Sequence, residues 1–288
     1  MKKILLLIAA IGILMGAISC SDDDEPKRGD GMFTVNTSMV NHMYNTGSGA
    51  VMGFSSTHNK LTLDTVKHKA SLELNYNDGQ GDKILKLDDL TATPKRLGFY
   101  ELRSASNSSF KGYVDFNEAA MRYDYMTPDG IRVISMTSEV FFLKTTTTVT
   151  YDDTTKSNTD EFSMYQFNLM PETSTATVQA MQIVHAKDRR YFNSITASSV
   201  PITATADGFT INATNLNTIA YYVLHYTDSL GSTISMTDKY PFKTFNATVD
   251  LANDHMDANF MIGSSATVTA TGKTYPDYTS YEPIVTSR

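Results

Sequence analysis

FKGYVDFNEAAMRYDYMTPDGIRV, residues 110–133, and FNATVDLANDHMDANFMIGSSATV, residues 245–268, are the two stretches on which the reading of the fold turns. In each, apolar side chains recur at every second position: Met121, Tyr123 and Tyr125 in the first, Met256, Ala258 and Phe260 in the second, with Ala266, Val268 and Ala270 continuing the row. A period of two places alternate side chains on opposite faces of an extended chain, which is the pattern of a half-buried strand. A shift of 135 residues lays Phe110, Val114, Asp115, Met121, Met126 and Val133 on Phe245, Val249, Asp250, Met256, Met261 and Val268, six identities in 24 positions. Phe116 then falls on Leu251, Tyr125 on Phe260, and the turn Pro128-Asp129-Gly130 on Gly263-Ser264-Ser265, so turns stay in step with strands. The repeated unit reads as strand, turn, strand, tight turn, strand.

Outward from that unit the same alternation appears at Leu72, Leu74 and Tyr76, and turn chemistry punctuates the chain at Asn77-Asp78-Gly79, Asp207-Gly208 and Asp228-Ser229-Leu230-Gly231. No strand–helix–strand rhythm occurs, so the connections are expected to be antiparallel. Three strands cannot bury a face alone, and each unit must close a larger sheet with the residues before it. The expectation is an all-β protein: two tandem, partly duplicated antiparallel domains over 31–137 and 138–273, each a sandwich or a small open barrel. Lys144 to Asp160 is read as a hairpin turning near Lys156-Ser157-Asn158. The two domains are expected to fold independently, and Val140-Phe141-Phe142-Leu143, apolar on both faces, is the segment that would pair with the first domain if they did not. Upstream of the unit the register drifts, and Leu90 to Leu102 matches Leu216 to Leu224 only with a gap.

Composition agrees with this reading. The chain has 288 residues, 41% hydrophobic and 19% charged, which is enough apolar material for one large or two ordinary cores. Sixteen Tyr and 14 Phe stand beside abundant Thr, Val and Ile, and long helix-forming runs are missing. The net charge of −7 becomes more negative once Lys2 and Lys3 are removed with a leader. An acidic body without a run of Lys and Arg repels phosphate backbones, which excludes nucleic acid as a partner.

Lys2 and Lys3 form a basic head, and Ile4 to Ile18 an uncharged apolar stretch of 15 residues, shorter than the ~20 a membrane-spanning helix needs. The stretch ends in Ala17-Ile18-Ser19-Cys20, which resembles a lipobox; the resemblance implies a signal peptide over 1–19 and a diacylglyceryl thioether at Cys20. Ala17 departs from the Leu usual at that place. Cys20 is also the single cysteine, so the body has no disulfide and no thiol nucleophile. Residues 20–30 continue as Ser21-Asp22-Asp23-Asp24-Glu25-Pro26-Lys27-Arg28-Gly29-Asp30, a solvated tether without an apolar side chain. Cys followed by Ser and an acidic run resembles the export tag of Bacteroidetes-type surface lipoproteins, which implies an outer-membrane anchor facing the cell exterior.

A search for chemistry returns few positives. His42, His58, His68, His185, His225 and His255 fall in no metal-ligand spacing, and no metal site or cofactor is implied. His42-Met43 and His255-Met256 read as packing rather than haem ligation, because Met121 aligns with Met256 in an apolar row. Ser108-x-x-Lys111 precedes a strand rather than opening a helix and lacks a K-T-G partner. Asp115 and Asp250, each just before a turn, read as acceptors of turn amides. Asn75 to Asp82 concentrates oxygen atoms around two glycines in a spacing that fits no familiar calcium loop. No catalytic residue is assigned.

The chain has no Trp, and its exposed-ring candidates are tyrosines. Tyr221 and Tyr222 sit in the second domain, and Tyr275, Tyr278 and Tyr281 recur every third residue beside Pro276 and Pro283 in a tail over 274–288 suited to an extended strap. These five are the candidate ligand-binding residues. The function expected is a non-catalytic lipoprotein held to the membrane through Cys20 and binding a glycan or an envelope or host protein. The alternative is a structural or adhesive subunit, since the plan resembles two-domain fimbrillin-like or calycin-like β proteins, with Lys27-Arg28 as a trypsin-like processing site. A hydrolase with dispersed acids ranks below both. Cys20→Ser is expected to abolish membrane association and incorporation of labelled palmitate, since each acyl CH₂ contributes about 0.8 kcal/mol of burial; equal labelling of the two proteins would refute the anchor.

Overall fold

The computed structural model describes residues 31–273 apart from 118, 138, 152–153, 182, 185–190, 217, 228–232 and 265. Among the described residues every element is a strand except the single 3-10 turn Pro171–Thr173. The first eight strands are β1 (Met32–Asn45), β2 (Ala50–Asp64), β3 (Lys69–Asn77), β4 (Asp82–Arg96), β5 (Phe99–Ser104), β6 (Lys111–Asp115), β7 (Ala120–Met126) and β8 (Ile131–Met136). They pair antiparallel in chain order, and β8 returns to β1 along Val40–Asn45, so the sheet closes into a barrel. Closure resolves the choice between sandwich and barrel and removes the two edges that an open sheet would leave. Alternation decides what fills it. In β3 every second residue from Ala70 to Tyr76 is buried, and Leu61, Leu63, Leu90, Val114, Met121, Tyr123, Tyr125 and Val133 join them. Each such side chain contributes about 1.5–3 kcal/mol on burial, which is the cohesion available to a body without disulfides.

The second sheet comprises β9 (Glu139–Tyr151), β10 (Thr154–Met170), β11 (Thr175–Met181), β12 (Ile183–Val184), β13 (Tyr191–Ala204), β14 (Gly208–Ala213), β15 (Thr218–Thr227), β16 (Thr233–Asp250), β17 (His255–Ile262) and β18 (Ala266–Lys273). β18 pairs with β9, and β11 pairs with β13, so β9, β10, β11, β13, β14, β16, β17 and β18 form a second closed ring. Its registers reproduce those of the first barrel. Phe99 opposite Asp115 becomes Gly208 opposite Asp250, Val114 opposite Met121 becomes Val249 opposite Met256, and Asn41 opposite Ser135 becomes Thr145 opposite Ala270. Even the register shift between Ala70 and Leu72 recurs between Ala176 and Val178.

The displacement between equivalents is 109 residues at Phe99 and Gly208 and 135 at Asp115 and Asp250, so 26 residues have been inserted between β14 and the matching end of β16. The insertion is β15 with the first half of β16, a long hairpin paired from Thr218 and Phe242 to Thr227 and Thr233. The true counterparts of Leu90 and Leu102 are therefore Val200 and Ile211, and Leu216 to Leu224 belongs to the insertion and its approach. One further expectation is corrected. The ladder after Lys144 continues to Tyr151 opposite Thr154, and Lys156-Ser157-Asn158 lies within β10, because β-branched threonines on the facing strand carry the pairing past that point. Val140-Phe141-Phe142-Leu143 pairs with β10 rather than with the first barrel.

The two barrels meet rim to wall. One rim of the second barrel carries the turns Pro171–Thr173, 205–207 and 251–254, and this rim rests on the outer wall of β1, β2, β7 and β8. His42 Nε2 lies 2.8 Å from the Thr205 carbonyl oxygen, and Arg122 donates to the Leu251 carbonyl and sits 2.8 Å from an Asp254 carboxylate oxygen. Ser56 donates to Glu172 at 2.5 Å, and Phe54 meets Phe209 edge-on. Ile134 and Met136, which point out of the first barrel, are buried in the core of the second. That contact explains why β7 is buried on both faces.

Aspartate at either equivalent methionine should cost several kcal/mol, because an unpaired charge enters an apolar layer. Met121 has Thr37 and Tyr123 hydroxyls against its sulfur, whereas Met256 receives no hydrogen bond among the described residues. Urea unfolding should therefore show Met256→Asp as the more damaging of the two; equal or reversed losses would contradict the placement. His42 provides a second test. Burial pushes its pKa below the ordinary imidazole value, with Arg132 acting in the same direction and the Thr205 carbonyl and Asp207 against it. With the folded pKa below about 6.5, the unfolded chain binds more protons between the two values, so this group's stability is full above about pH 6.5 and is lost as pH falls below it. The melting temperature of the wild type should fall faster between pH 7 and 5 than that of His42→Gln; parallel slopes would remove His42 from the pH response.

Candidate functional site

Tyr221 and Tyr222 lie on β15, in the inserted hairpin, with backbone partners Lys239 and Asp238 on β16 and Ser194 and Phe192 on β13. Tyr275, Tyr278, Tyr281 and Cys20 lie outside the described residues. The structure thus brings the first two tyrosines onto one arm.

The carboxylates and the oxygen-rich loop turn out to serve the backbone. Asp115 accepts the Asn117 amide at 3.0 Å, and Asp250 accepts the Asn253 amide at 2.9 Å and its side-chain amide at 2.8 Å. In the 77–82 turn, Asn77 accepts from Gly79, and Asp78 accepts from Gln80 and Gly81 while pairing with Lys83. Those amide donors hold the Asp78 carboxyl below its ordinary pKa. Oxygen atoms spent on amides do not converge on a cation, and no group of three metal-ligating side chains occurs among the described residues. His42 and Met43 occupy opposite faces of β1, one on the barrel wall and one inside.

A buried polar seam went unnoticed in the sequence. β2 leaves β3 after Lys60, and side chains fill the split: Asn41 and Thr57 donate to the Asn75 carbonyl at 2.9 and 2.8 Å, and Asn59 accepts the Asn75 amide at 2.8 Å and donates to Ser135. These groups substitute for ladder bonds the separated strands cannot make. The seam is a structural repair, enclosed by the barrel. In the second barrel β10 and β11 stay paired to Met164 and Met181, and Thr145 with Tyr165 stands where Asn41 with Asn59 would be.

A groove of about 920 Å³ opens on the outer wall of the second barrel, across β9, β14, β16, β17 and β18. Period two sets its character, since the outward positions of five neighbouring strands are polar. β14 supplies Thr210 and Asn212, and β16 supplies Asn246 and Thr248. β17 adds Asp257 and Asn259, and β18 adds Thr269 and Thr271, with Thr146 of β9 at the border. Asp257 is the only charged group of the lining; it accepts from Thr271 at 2.5 Å and lies 3.2 Å from His255. Asn212, Asn246 and Asn259 make no side-chain hydrogen bond among the described residues, so their amides face solvent as donors and acceptors. One carboxylate is half of the pair that glycoside cleavage ordinarily uses. The arrangement can hold a ligand by hydrogen bonds.

Duplication explains why a concave wall exists here. The first-barrel positions His42, Arg122, Ile134 and Met136, which receive the second barrel's rim, correspond in register to Thr146, Asp257, Thr269 and Thr271. All four line the groove. The groove is the second copy of a docking wall, with apolar residues replaced by threonine and a cation by an acid. No local motif announces it; the signal available was the polar half of the alternation, such as Asn246 and Thr248 between apolar neighbours.

No protein-family model matches the chain, and no curated protein matches it. Among solved structures it is similar to the isotype 1 transferrin binding protein B from serogroup B Neisseria meningitidis, at 9% identity and a TM-score of 0.23, over 85% of this chain and 77% of that one.

Proposed function

We propose that this chain is a non-catalytic, lipid-anchored surface protein that binds a hydroxyl-rich ligand, a glycan, on the outer wall of its second barrel. The observation that carries the reading is the groove itself: amides and hydroxyls from five strands, a single carboxylate and no cation. Neutral polar groups presented by a rigid sheet suit a ligand that offers many hydroxyls, whereas a phosphorylated or acidic ligand would meet Asp257 without a compensating Lys or Arg. Rigid strands also spare the ligand the entropy of ordering a loop. The lipobox-like Ala17-Ile18-Ser19-Cys20 and the acidic tether support an outer-membrane, exterior location. A chain of stacked subunits is less well supported, because the wall that seats one barrel on the next has lost its apolar residues in the second copy. A rim-to-wall contact that cannot recur ends the array at two.

On a glycan array the wild type should give saturable binding to a subset of neutral saccharides. Removing Asn212, Asn246 and Asn259 together by alanine should weaken that binding by about 10–100-fold, taking each lost hydrogen bond at ~0.5–1 kcal/mol, with the melting temperature unchanged because the three side chains are exposed. Binding that survives the triple substitution would move the site elsewhere; an array without any saccharide bound would reject the glycan reading.

A further inference from the structure

The two barrels share most of their ring registers and differ at one strand edge. In the first barrel β5 is six residues long and pairs with β4 only from Leu90 to Arg96. The other half of β4, Asp82 to Asp88, has β3 on one side, from Asn77 opposite Asp82 to Leu72 opposite Leu87, and no strand on the other among the described residues. In the second barrel the equivalent half of β13 is covered. The pairings of Asn77 with Asp82 and Leu74 with Leu85 correspond to those of Ile183 with Phe192 and Ala180 with Ile195. There β15 lies along the outer side, with Tyr222 opposite Phe192, Tyr221 opposite Ser194 and Ala220 opposite Ile195. The 26-residue insertion thus fills in the second barrel a slot that stays open in the first.

The open edge carries an aspartate at each end, Asp82 and Asp88, and two lysines between them. Charged side chains on a sheet edge normally discourage strand addition. Here Lys83 and Lys86 are drawn back toward β3, Lys83 to Asp78 and Lys86 to Glu73, each at 3.3 Å. Ile84 between them is 59% exposed. The 105–110 loop is fixed beside the slot: Ser109 accepts the Met126 amide, Asn107 donates to the Met126 carbonyl, and Phe110 stacks on Tyr123. Pairing of two copies is disfavoured, because an antiparallel match centred between Ile84 and Leu85 sets Lys83 opposite Lys86.

We propose that the free edge Asp82–Asp88 of β4 is a strand-addition site that takes an extended, uncharged segment of a different polypeptide, antiparallel to β4 and in the place β15 holds in the second barrel. Backbone amides and carbonyls supply the attachment, and an apolar side chain opposite Ile84 supplies preference. The site is separate from the groove and stands or falls independently of glycan binding.

The probe is a synthetic peptide with the sequence of Thr218–Thr227, the strand that fills the equivalent slot, added to the full chain. Amide hydrogen exchange within 82–88 should slow at least tenfold on addition, with a scrambled peptide having no effect. Register gives a second measurement. In a Cys20→Ser background, Ile84→Cys should form a disulfide with a peptide carrying Cys in place of Tyr221, the residue opposite Ser194 in the second barrel. Val51→Cys, on another exposed strand position, should not. Unchanged exchange at 82–88, or equal cross-linking of Cys at positions 51 and 84, would overturn the proposal.

Discussion

Ring closure is the constraint on which this molecule depends, because it gives the strands of each barrel a neighbour on both sides over part of their length in a body without disulfides. β8 on β1 closes the first ring, and β18 on β9 closes the second. Once the rings close, inside and outside are fixed for each residue by parity, so the core, the docking wall and the groove all follow from the phase of one alternation. Where the ladder fails, other groups take over its bonds: Asn41, Thr57 and Asn59 do so where β2 leaves β3, and the 105–110 loop does so where β5 and β6 are short. A slip of one residue anywhere would exchange Tyr123 and Tyr125 with Arg122 and Asp124 and empty the core.

This dependence on phase explains what could be read from the sequence. The Met121 and Met256 units were legible because their turns are short, so strand and turn spacing survived duplication intact. Upstream equivalence was not, since the insertion changes the displacement in mid-repeat and attracts Leu216 to Leu224 into a false match. Closure was invisible because it pairs residues some ninety apart, Val40 with Met136, and no local signal encodes that. The groove was hidden for a different reason. Its members are ordinary solvent-facing Thr and Asn on five strands, and only the ring makes them neighbours. Tyr221 and Tyr222 stood out as aromatics, and the structure assigns their segment to the inserted hairpin.

Comparison of the two copies shows how little change separates an internal contact from an outward one. Ile134 and Met136 against Thr269 and Thr271, and Arg122 against Asp257, occupy the same register on walls of the same shape. In the first copy they bury against Phe209 and Leu251 across the rim contact; in the second they meet water. The backbone therefore sets where a concave wall lies, and side chains on alternate positions set whether it receives protein or solvent. The open edge of β4 makes a complementary point, because there the first copy lacks the strand, β15, that the second copy carries.

The way β1 enters its ring bears on how the molecule carries tension. The ladder of β1 with β2 runs from Met32 to Asn45, whereas its ladder with β8 reaches no further than Val40. A pull applied at Gly31 and resisted at the second barrel runs along β1 and loads the Met32–Met39 ladder lengthwise, so that its bonds must break together rather than one after another. A body fixed at one end and gripped at the other would hold a tether under flow with its least protected strand placed in the stronger direction of loading.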